Sequence, residues 1–406
     1  MAQAAQPTPA RPRVLAVEFL ARGGLVHYTW QLALALGRQG AAVSLLTGRD
    51  PECAAAPEAA VRLLAELRTW NPHRRPRGLP RRLLRAWHGL LYVRAWGDVL
   101  RIARRERPDV ILLTDLEHRC DGWFVRRLAR GPWRLSDIWH NVTPFEHNRR
   151  GRLLRAAAWR ARMAASFDTV FVHGRALQAE FARFARRPAV AIPHGNQTWI
   201  AAQAGPDPGL DRRFGLPAGL PVALLFGSLS EYKGIGVLLE ALRAIPPAQR
   251  PLALIAGMPM AGVRPVAWEA QARRLGIEAW VRWDRRYVPL GEIAWYFRRA
   301  DFVVLPYRAA SQSGVAHLAL TFGRPLIVTQ VGGLPELIAG NGLVVPPDDP
   351  AALARALAQL AGDPAARAVM GGCAARLAAT RHDWDAIAAT VLAAWETPAP
   401  AGQAPI

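Results

Sequence analysis

The sequence predicts an α/β protein of two doubly wound, Rossmann-like domains facing a central cleft. Three observations carry that expectation. The chain has 406 residues, too many for one ordinary core. Short, almost continuous apolar runs alternate with segments of helical periodicity, the pattern of parallel strands covered on both faces. The alternation also stops once, at a Pro/Gly-rich stretch, and then begins again.

In chain order, VLAVEFL (14–20) reads as the first strand. The glycine pair Gly23-Gly24 follows, then a helix in VHYTWQLALALGRQG that ends at Gly40. AVSLLTG (42–48), DVILLT (109–114), RLSDIWHNV (134–142), DTVFVHG (168–174) and AVAIPHG (189–195) read as further strands. AAQAGPDPGLDRRFGLPAGLP (201–221) reads as a linker. The second round begins with the strand PVALLFG (221–227) and the helix GIGVLLEALRAI (234–245). LALIAG (252–257), WVRWD (280–284), DFVVLPY (301–307), PLIVTQ (325–330) and GLVVPP (342–347) continue it as strands, and two helical patterns, 365–380 and 384–396, close the chain. The expected division is a domain over 13–200, a linker over 201–220, a domain over 221–380 and a terminal helix within 381–397. The Pro/Ala-rich ends read as disordered.

Composition narrows the class. Cys53, Cys120 and Cys373 lie far apart and match no metal spacing, so they read as reduced thiols of a cytoplasmic protein. No apolar run approaches the ~18 residues of a membrane span. The net charge of +21 is uneven: residues 1–200 carry +18 and residues 201–406 only +3. A nucleic-acid surface would need a basic stripe with stacking aromatics. The segment 68–107 holds both residue types, so that reading stands as an alternative, with nucleic acid a disfavoured partner.

In doubly wound sheets, ligands bind at the carboxyl ends of the strands. Lys233, the only lysine in the chain, follows the strand PVALLFG in the loop SLSEYK. A compact ammonium there suits a phosphate oxygen, though position alone fits a solvated loop residue equally well. The loop after DFVVLPY leads through Ser311, Gln312, Ser313 and Gly314 into an apolar helix. Its amides, with those of Ser313, Gly314 and Val315 foremost, could hold a diphosphate opposite Lys233. Alone, this is also an ordinary Ser-capped helix. The loop TQVGGLPELI (329–338) places Gly332 and Gly333 for close approach, and Glu336 to meet a sugar or ribose hydroxyl, or simply to sit in a first turn. Gly23-Gly24 lacks the G-x-G-x-x-G of a nicotinamide dinucleotide site.

FGSLSEYKGIGVLLEAL, SQSGVAHLALTFGRPLIVTQVGGLPELI and GLVVPPDDPAALARAL together resemble the nucleotide-sugar domain of retaining GT-B glycosyltransferases of family 4 (glycosyl transferase group 1). GGLVHYTWQLALALGRQGAAVSLLTG resembles the family's glycine loop and first helix, WHNVTPFEH (139–147) its histidine-bearing loop, and RHDWDAIAATVLAAWE (381–396) its helix crossing back onto the first domain. The resemblance covers about residues 14–396. It implies an acceptor-binding first domain, a nucleotide-sugar-binding second domain and transfer with retention. It matches Lys233 to the donor-diphosphate lysine, Gly227 to the strand-end glycine, Gly23 and Gly24 to the glycine loop, and His140 to the histidine that contacts the transferred sugar. Ser228 stands where many relatives carry a second diphosphate-binding arginine. The family's two glutamates are missing: Ser311 lies near the first position and Leu318 near the second. Gln312, His317 and Glu336 are the candidate substitutes. The missing acids also leave room for a non-catalytic scaffold of the same fold. His118, His147 and His173 are weaker candidates, each read as structural.

No metal or cofactor is expected. Asp348-Asp349 and DWD (383–385) read as helix caps. A pyridoxal phosphate Schiff base would need a buried lysine, whereas Lys233 lies in a Gly-flanked loop. Residues 68–107 hold 12 arginines against Asp98 and Glu106, with Trp70, Trp87, Tyr92 and Trp96 among them. From 81 onward the pattern resembles an amphipathic helix suited to headgroups, so an anionic membrane and a lipid-linked or saccharide acceptor are expected partners. A second basic stretch, 148–187, holds 10 arginines against Asp168 and Glu180.

Overall fold

The computed structural model describes residues 11–53, 61–69, 81–114, 116, 118–142, 159–260 and 262–397. One sheet contains β1 (Arg13–Glu18), β2 (Ala42–Gly48), β3 (Val61–Leu67), β4 (Val110–Thr114), β5 (Arg134–Trp139), β6 (Thr169–His173) and β7 (Val190–Ile192). Its order is β3-β2-β1-β4-β5-β6-β7 and every pairing is parallel. The second sheet contains β8 (Val222–Phe226), β9 (Leu252–Ala256), β10 (Val281–Asp284), β11 (Phe302–Leu305), β12 (Leu326–Thr329) and β13 (Gly342–Val345). It is also parallel, in the order β10-β9-β8-β11-β12-β13.

The helices of eight residues or more with described bounds are α1 (Gly24–Arg38), α2 (Arg81–Glu106), α3 (Asp121–Leu128), α4 (Gly174–Ala185), α5 (Ile235–Ala244), α6 (Pro265–Arg274), α7 (Leu290–Arg299), α8 (Gly314–Thr321), α9 (Pro350–Gly362), α10 (Pro364–Thr380) and α11 (Trp384–Glu396). They cover both faces of each sheet, which is why β4, β8, β9, β11 and β12 are buried from end to end. Alternate residues of one strand feed opposite cores. Leu15 and Val17 of β1 pack with Trp96 of α2, whereas Val14 packs with Leu32 and Leu36 of α1. α11 returns to the first sheet's side, where Trp384, Ile387, Val391 and Trp395 join that α1 core. Trp395 Nε1 donates to Ser136 Oγ at 2.9 Å, and Arg38 pairs with Asp385 at 2.6 Å.

Both sheets reverse direction beside their first strand. The crevice at such a reversal, at the strands' carboxyl ends, is where this architecture holds ligands. In the second sheet it lies between β8 and β11, so the loops carrying Lys233 and Ser313 flank it.

Several local expectations change. β5 ends at Trp139, so His140 stands beyond the strand. β3 was not foreseen: VRLLAEL is an edge strand with alternating exposure and lacks the continuous apolar run of its neighbours. The 201–221 stretch contains a helical turn, Leu210–Phe214. Asp349 and Asp383 cap α9 and α11 through the amides of Ala352 and Ala386, both at 2.9 Å. Among the described residues no helix is long and apolar enough to cross a membrane.

The basic segment is less free than its composition implies. Arg68 and Arg101 pair with Asp98, Arg105 pairs with Glu66 and Glu106, and Arg62 pairs with Glu106. Arg82, Arg94 and Arg104 make no ion pair among the described residues. Tyr92, Trp96, Val99 and Ile102 form the buried face of α2. The opposite face exposes Leu83 (58%), Trp87 (53%), Leu90 and Val93. Residues 70–80, which include Trp70, and the side chains of Arg81 and Arg85 lie outside the described residues, as do residues 148–158 of the second basic stretch.

Candidate active site

Lys233 sits in a 3-10 turn, Glu231–Lys233, between β8 and α5. Its side chain folds back beneath the strand end and is only 4% exposed. Nζ donates to the carbonyl of Phe226 at 3.1 Å and lies 5.2 Å from the centre of the Tyr307 ring. No carboxylate pairs with it among the described residues. Burial lowers its pKa, as expected for an ammonium held away from water without an acidic partner. The solvated-loop reading is therefore wrong, and so is the argument that exposure separates Lys233 from a Schiff-base lysine.

Gly227 directly follows β8 with φ +97°, a conformation that favours glycine. A Cβ there would meet Lys233 Nζ at 2.9 Å and Val315 Cγ2 at 3.3 Å. The lysine and the start of α8 thus converge on one glycine. Ser313 precedes α8 in an extended conformation, and no side chain caps the helix. The first-turn amides of a helix have no intrahelical acceptor and carry the positive end of its dipole. Gly314 is exposed, Ser313 is buried, and Ser228 is exposed one residue beyond Gly227. Gly23 and Gly24 open α1 after β1.

Glu336 does not point where its sequence position implies. Its carboxylate accepts the amides of Ala176 at 2.8 Å and Arg175 at 3.2 Å, so it caps α4 in the first domain. A Cβ on Gly174 would lie 2.8 Å from Glu336 Oε2, so glycine is what admits this cross-cleft contact.

The most extended feature is an array of buried histidines. His140 Nδ1 lies 3.1 Å from His173 Nε2 and 3.3 Å from the Gln312 amide nitrogen. His194 lies next to His173 and stacks on His317 with ring centres 4.2 Å apart; His317 meets His382 edge-on at 4.7 Å. Tyr28 of α1 packs against His140, His173 and His194. The amide nitrogen of Gln312 can only donate, so His140 Nδ1 accepts and the proton of a neutral His140 sits on Nε2. Among the described residues, that Nε2 and Gln312 Oε1 are both buried without a hydrogen-bond partner. Burial, reinforced by His194, pushes His140 down to about 3. Burial pushes His194 down to about 4, and it also lowers His173, His317 and His382. All five are neutral at pH 7. A cavity of about 180 Å³ is lined by His173, His194, Gln312, His317, Glu336 and Arg381, among others.

His173, read as structural from the sequence, is thus a direct partner of His140. His194 and His382 were missed altogether. The available signal was their position, each at the end of a strand or just before a helix near the domain boundary. His118 lies apart, edge-on to Tyr92. His147 is outside the described residues. Ser311 and Leu318 are buried, with Leu318 in the apolar core. No group of three His, Cys, Asp or Glu side chains among the described residues has the arrangement of a metal site.

Two parallel doubly wound sheets facing a cleft, with a donor-rich loop pair at the second sheet's reversal, define the GT-B class. Residues 22–198 match the family model Glycosyltransferase Family 4, and residues 220–363 match Glycosyl transferases group 1. The first stretch thus matches a family 4 glycosyltransferase domain and the second a group 1 glycosyl transferase domain, on a GT-B fold, which together mark the chain as a glycosyltransferase. It is 35% identical over 185 residues to a D-inositol 3-phosphate glycosyltransferase of Streptomyces avermitilis, covering 43% of this chain and 39% of the relative. The chain thus spans less than half the length of the curated relatives it matches. Sucrose-phosphate synthase from Thermosynechococcus elongatus superposes with a TM-score of 0.74 at 21% identity, over 95% of this chain and 98% of that one. Anabaena HepE in complex with UDP and glucose superposes with a TM-score of 0.69 at 18% identity, over 95% of this chain and 100% of that one. These two likenesses are of fold.

Proposed function

We propose that the chain transfers a sugar from a nucleoside diphosphate sugar to an acceptor hydroxyl, with retention and without a metal. The observation that carries this reading is the buried Lys233 ammonium, which has no carboxylate partner among the described residues and shares Gly227 with the start of α8. A buried cation without a counter-ion is costly, and a diphosphate would relieve it. As the bond from the sugar's anomeric carbon to the phosphate oxygen breaks, charge builds on the leaving diphosphate. Lys233 and the amides of Ser313, Gly314 and Val315 stabilise that charge. Ser228 and Gly227 border the same phosphates. The acceptor's proton passes to the departing phosphate oxygen as the new bond forms on the same face. His140 Nε2 and Gln312 Oε1, supported by His317, hold hydroxyls of the transferred sugar in place of the family's two acids. Glu336 acts as a bridge between domains.

The first domain takes the acceptor, with Gly23 and Gly24 at its edge of the cleft. The exposed Leu83, Trp87, Leu90 and Val93 face of α2, with Arg82 and Arg94 on the same helix, fits the inner face of an anionic membrane. A lipid-linked acceptor in glycolipid or surface polysaccharide synthesis follows from that placement. Vesicle co-sedimentation tests it: Leu83→Ser with Trp87→Ser should abolish salt-sensitive binding to anionic vesicles, and equal pelleting by the variant would reject it.

Ser311 and Leu318 also favour a second reading, a scaffold that binds the donor without turning it over. Incubation with a panel of nucleotide sugars separates the two. Release of nucleoside diphosphate, with an anomeric proton coupling in the product that matches the donor's, supports transfer with retention. Donor binding without release supports the scaffold.

A further inference from the structure

The Glu52 carboxylate is the meeting point of both domains, and nothing in the transfer chemistry above uses it. It stands in the loop after β2, with its side chain only 7% exposed. It accepts the amide of Gly23 at 3.0 Å and faces His27 Nε2, one turn into α1, at 3.0 Å. Arg22 approaches within 3.6 Å. These partners belong to the glycine turn and the helix that follows it. The remaining donor comes from the other side of the cleft: the Tyr287 hydroxyl lies 2.5 Å and 2.7 Å from the two carboxylate oxygens.

Tyr287 is fixed to the second domain. It follows β10, and its neighbour Arg286 is held by Asp284 and Glu292. If the second domain moves away, the phenol leaves with it. Among the described residues, Glu52 then keeps its first-domain partners alone, and it gains access to water. Burial alone would push its carboxyl up, but the hydrogen bonds of His27, Tyr287 and Gly23 outweigh burial and hold it at about 2. A partly buried carboxylate depends on each of these donors, and removing one changes how firmly it holds the others.

We infer that Glu52 is a positioning residue, which couples docking of the second domain, through Tyr287, to the setting of the Gly23-Gly24 turn beside the reaction cleft. The turn is then firmly held when the domains are together and looser when they part. The consequence for rate rests on the transfer reading; the coupling itself does not.

Amide hydrogen exchange on the full chain tests the coupling without any substrate. Tyr287→Phe keeps the ring and removes only the hydroxyl. It should raise exchange at residues 22–27, in the other domain, by about tenfold or more, the factor expected for losing a hydrogen bond to a charged group. Glu52→Gln should do the same, and the double variant should add nothing further. Unchanged exchange over 22–27 in Tyr287→Phe, with Glu52→Gln alone raising it, would overturn the coupling. So would effects that multiply in the double variant. Where transfer is measurable, Tyr287→Phe should lower kcat about tenfold while leaving the Kd of the nucleoside diphosphate unchanged. An unchanged kcat would remove the positioning role, and absence of transfer in the unaltered chain would count against the transfer reading alone.

Discussion

The Glu336 carboxylate of the second domain accepts the Ala176 amide of the first at 2.8 Å, capping α4 from across the cleft. A cap supplied by a different domain ties helix stability to domain docking. A Cβ on the neighbouring Gly174 would lie 2.8 Å from Glu336 Oε2, so a side chain there would make the carboxylate shift.

Glu336→Ala should therefore destabilise the chain by about 1 kcal/mol, the usual cost of a lost cap. Equilibrium urea unfolding measures this. Glu336→Gln, which keeps an acceptor oxygen, should recover most of the loss. A weakened donor affinity with unchanged unfolding would instead return Glu336 to the donor site.

The histidine array predicts a pH response. His140, His173, His194, His317 and His382 all have lowered pKa values when folded. Below about pH 6.5 the unfolded chain takes up protons that the folded chain refuses. Stability is thus intact above that pH. It falls as pH drops toward about 4, where His194 titrates, and about 3, where His140 does. Each histidine contributes a slope of about 1.4 kcal/mol per pH unit within its window. Calorimetric Tm values should fall steeply below pH 6, and His194→Gln should make that slope shallower. A flat Tm between pH 7 and pH 5 contradicts the buried neutral array.

His140→Ala should lower kcat by about a hundredfold, at the low end of losses for a preorganised donor, with little change in nucleotide affinity. Steady-state kinetics beside calorimetric titration separates the two effects. A change confined to nucleotide affinity would move His140 out of the sugar site.

Transfer should persist in EDTA, because in the proposed mechanism Lys233 and the α8 amides meet the diphosphate charge. Activity lost in EDTA and restored by magnesium or manganese would contradict that division of labour.

Much of the fold was legible because its signals are local. Strands buried on both faces, such as β8 and β9, leave unbroken apolar runs, and Asp349 and Asp383 stand where helix caps belong. β3 was not legible, since an edge strand with one wet side loses that run. In the site, the loops bearing Lys233 and Ser313 could be placed because strand ends mark clefts. The direction of a side chain could not. Lys233 turns inward against Phe226 and Tyr307, and Glu336 turns across the cleft to α4, through contacts with residues distant in sequence. His194 and His382 escaped notice for the same reason: their chemistry exists only once five histidines from both halves of the chain are stacked together.

The central claim is that Lys233 is a buried cation awaiting a diphosphate. Isothermal titration of UDP, GDP and ADP into the intact chain, and into Lys233→Met, tests it most directly. Methionine fills a similar volume and removes the charge. One of the three nucleotides should bind the unaltered chain at a single site, and Lys233→Met should weaken that binding at least tenfold, the loss of roughly 1.5 kcal/mol or more expected for a charged hydrogen bond. Equal affinity in the two proteins, or tighter binding to Lys233→Met, would contradict the account.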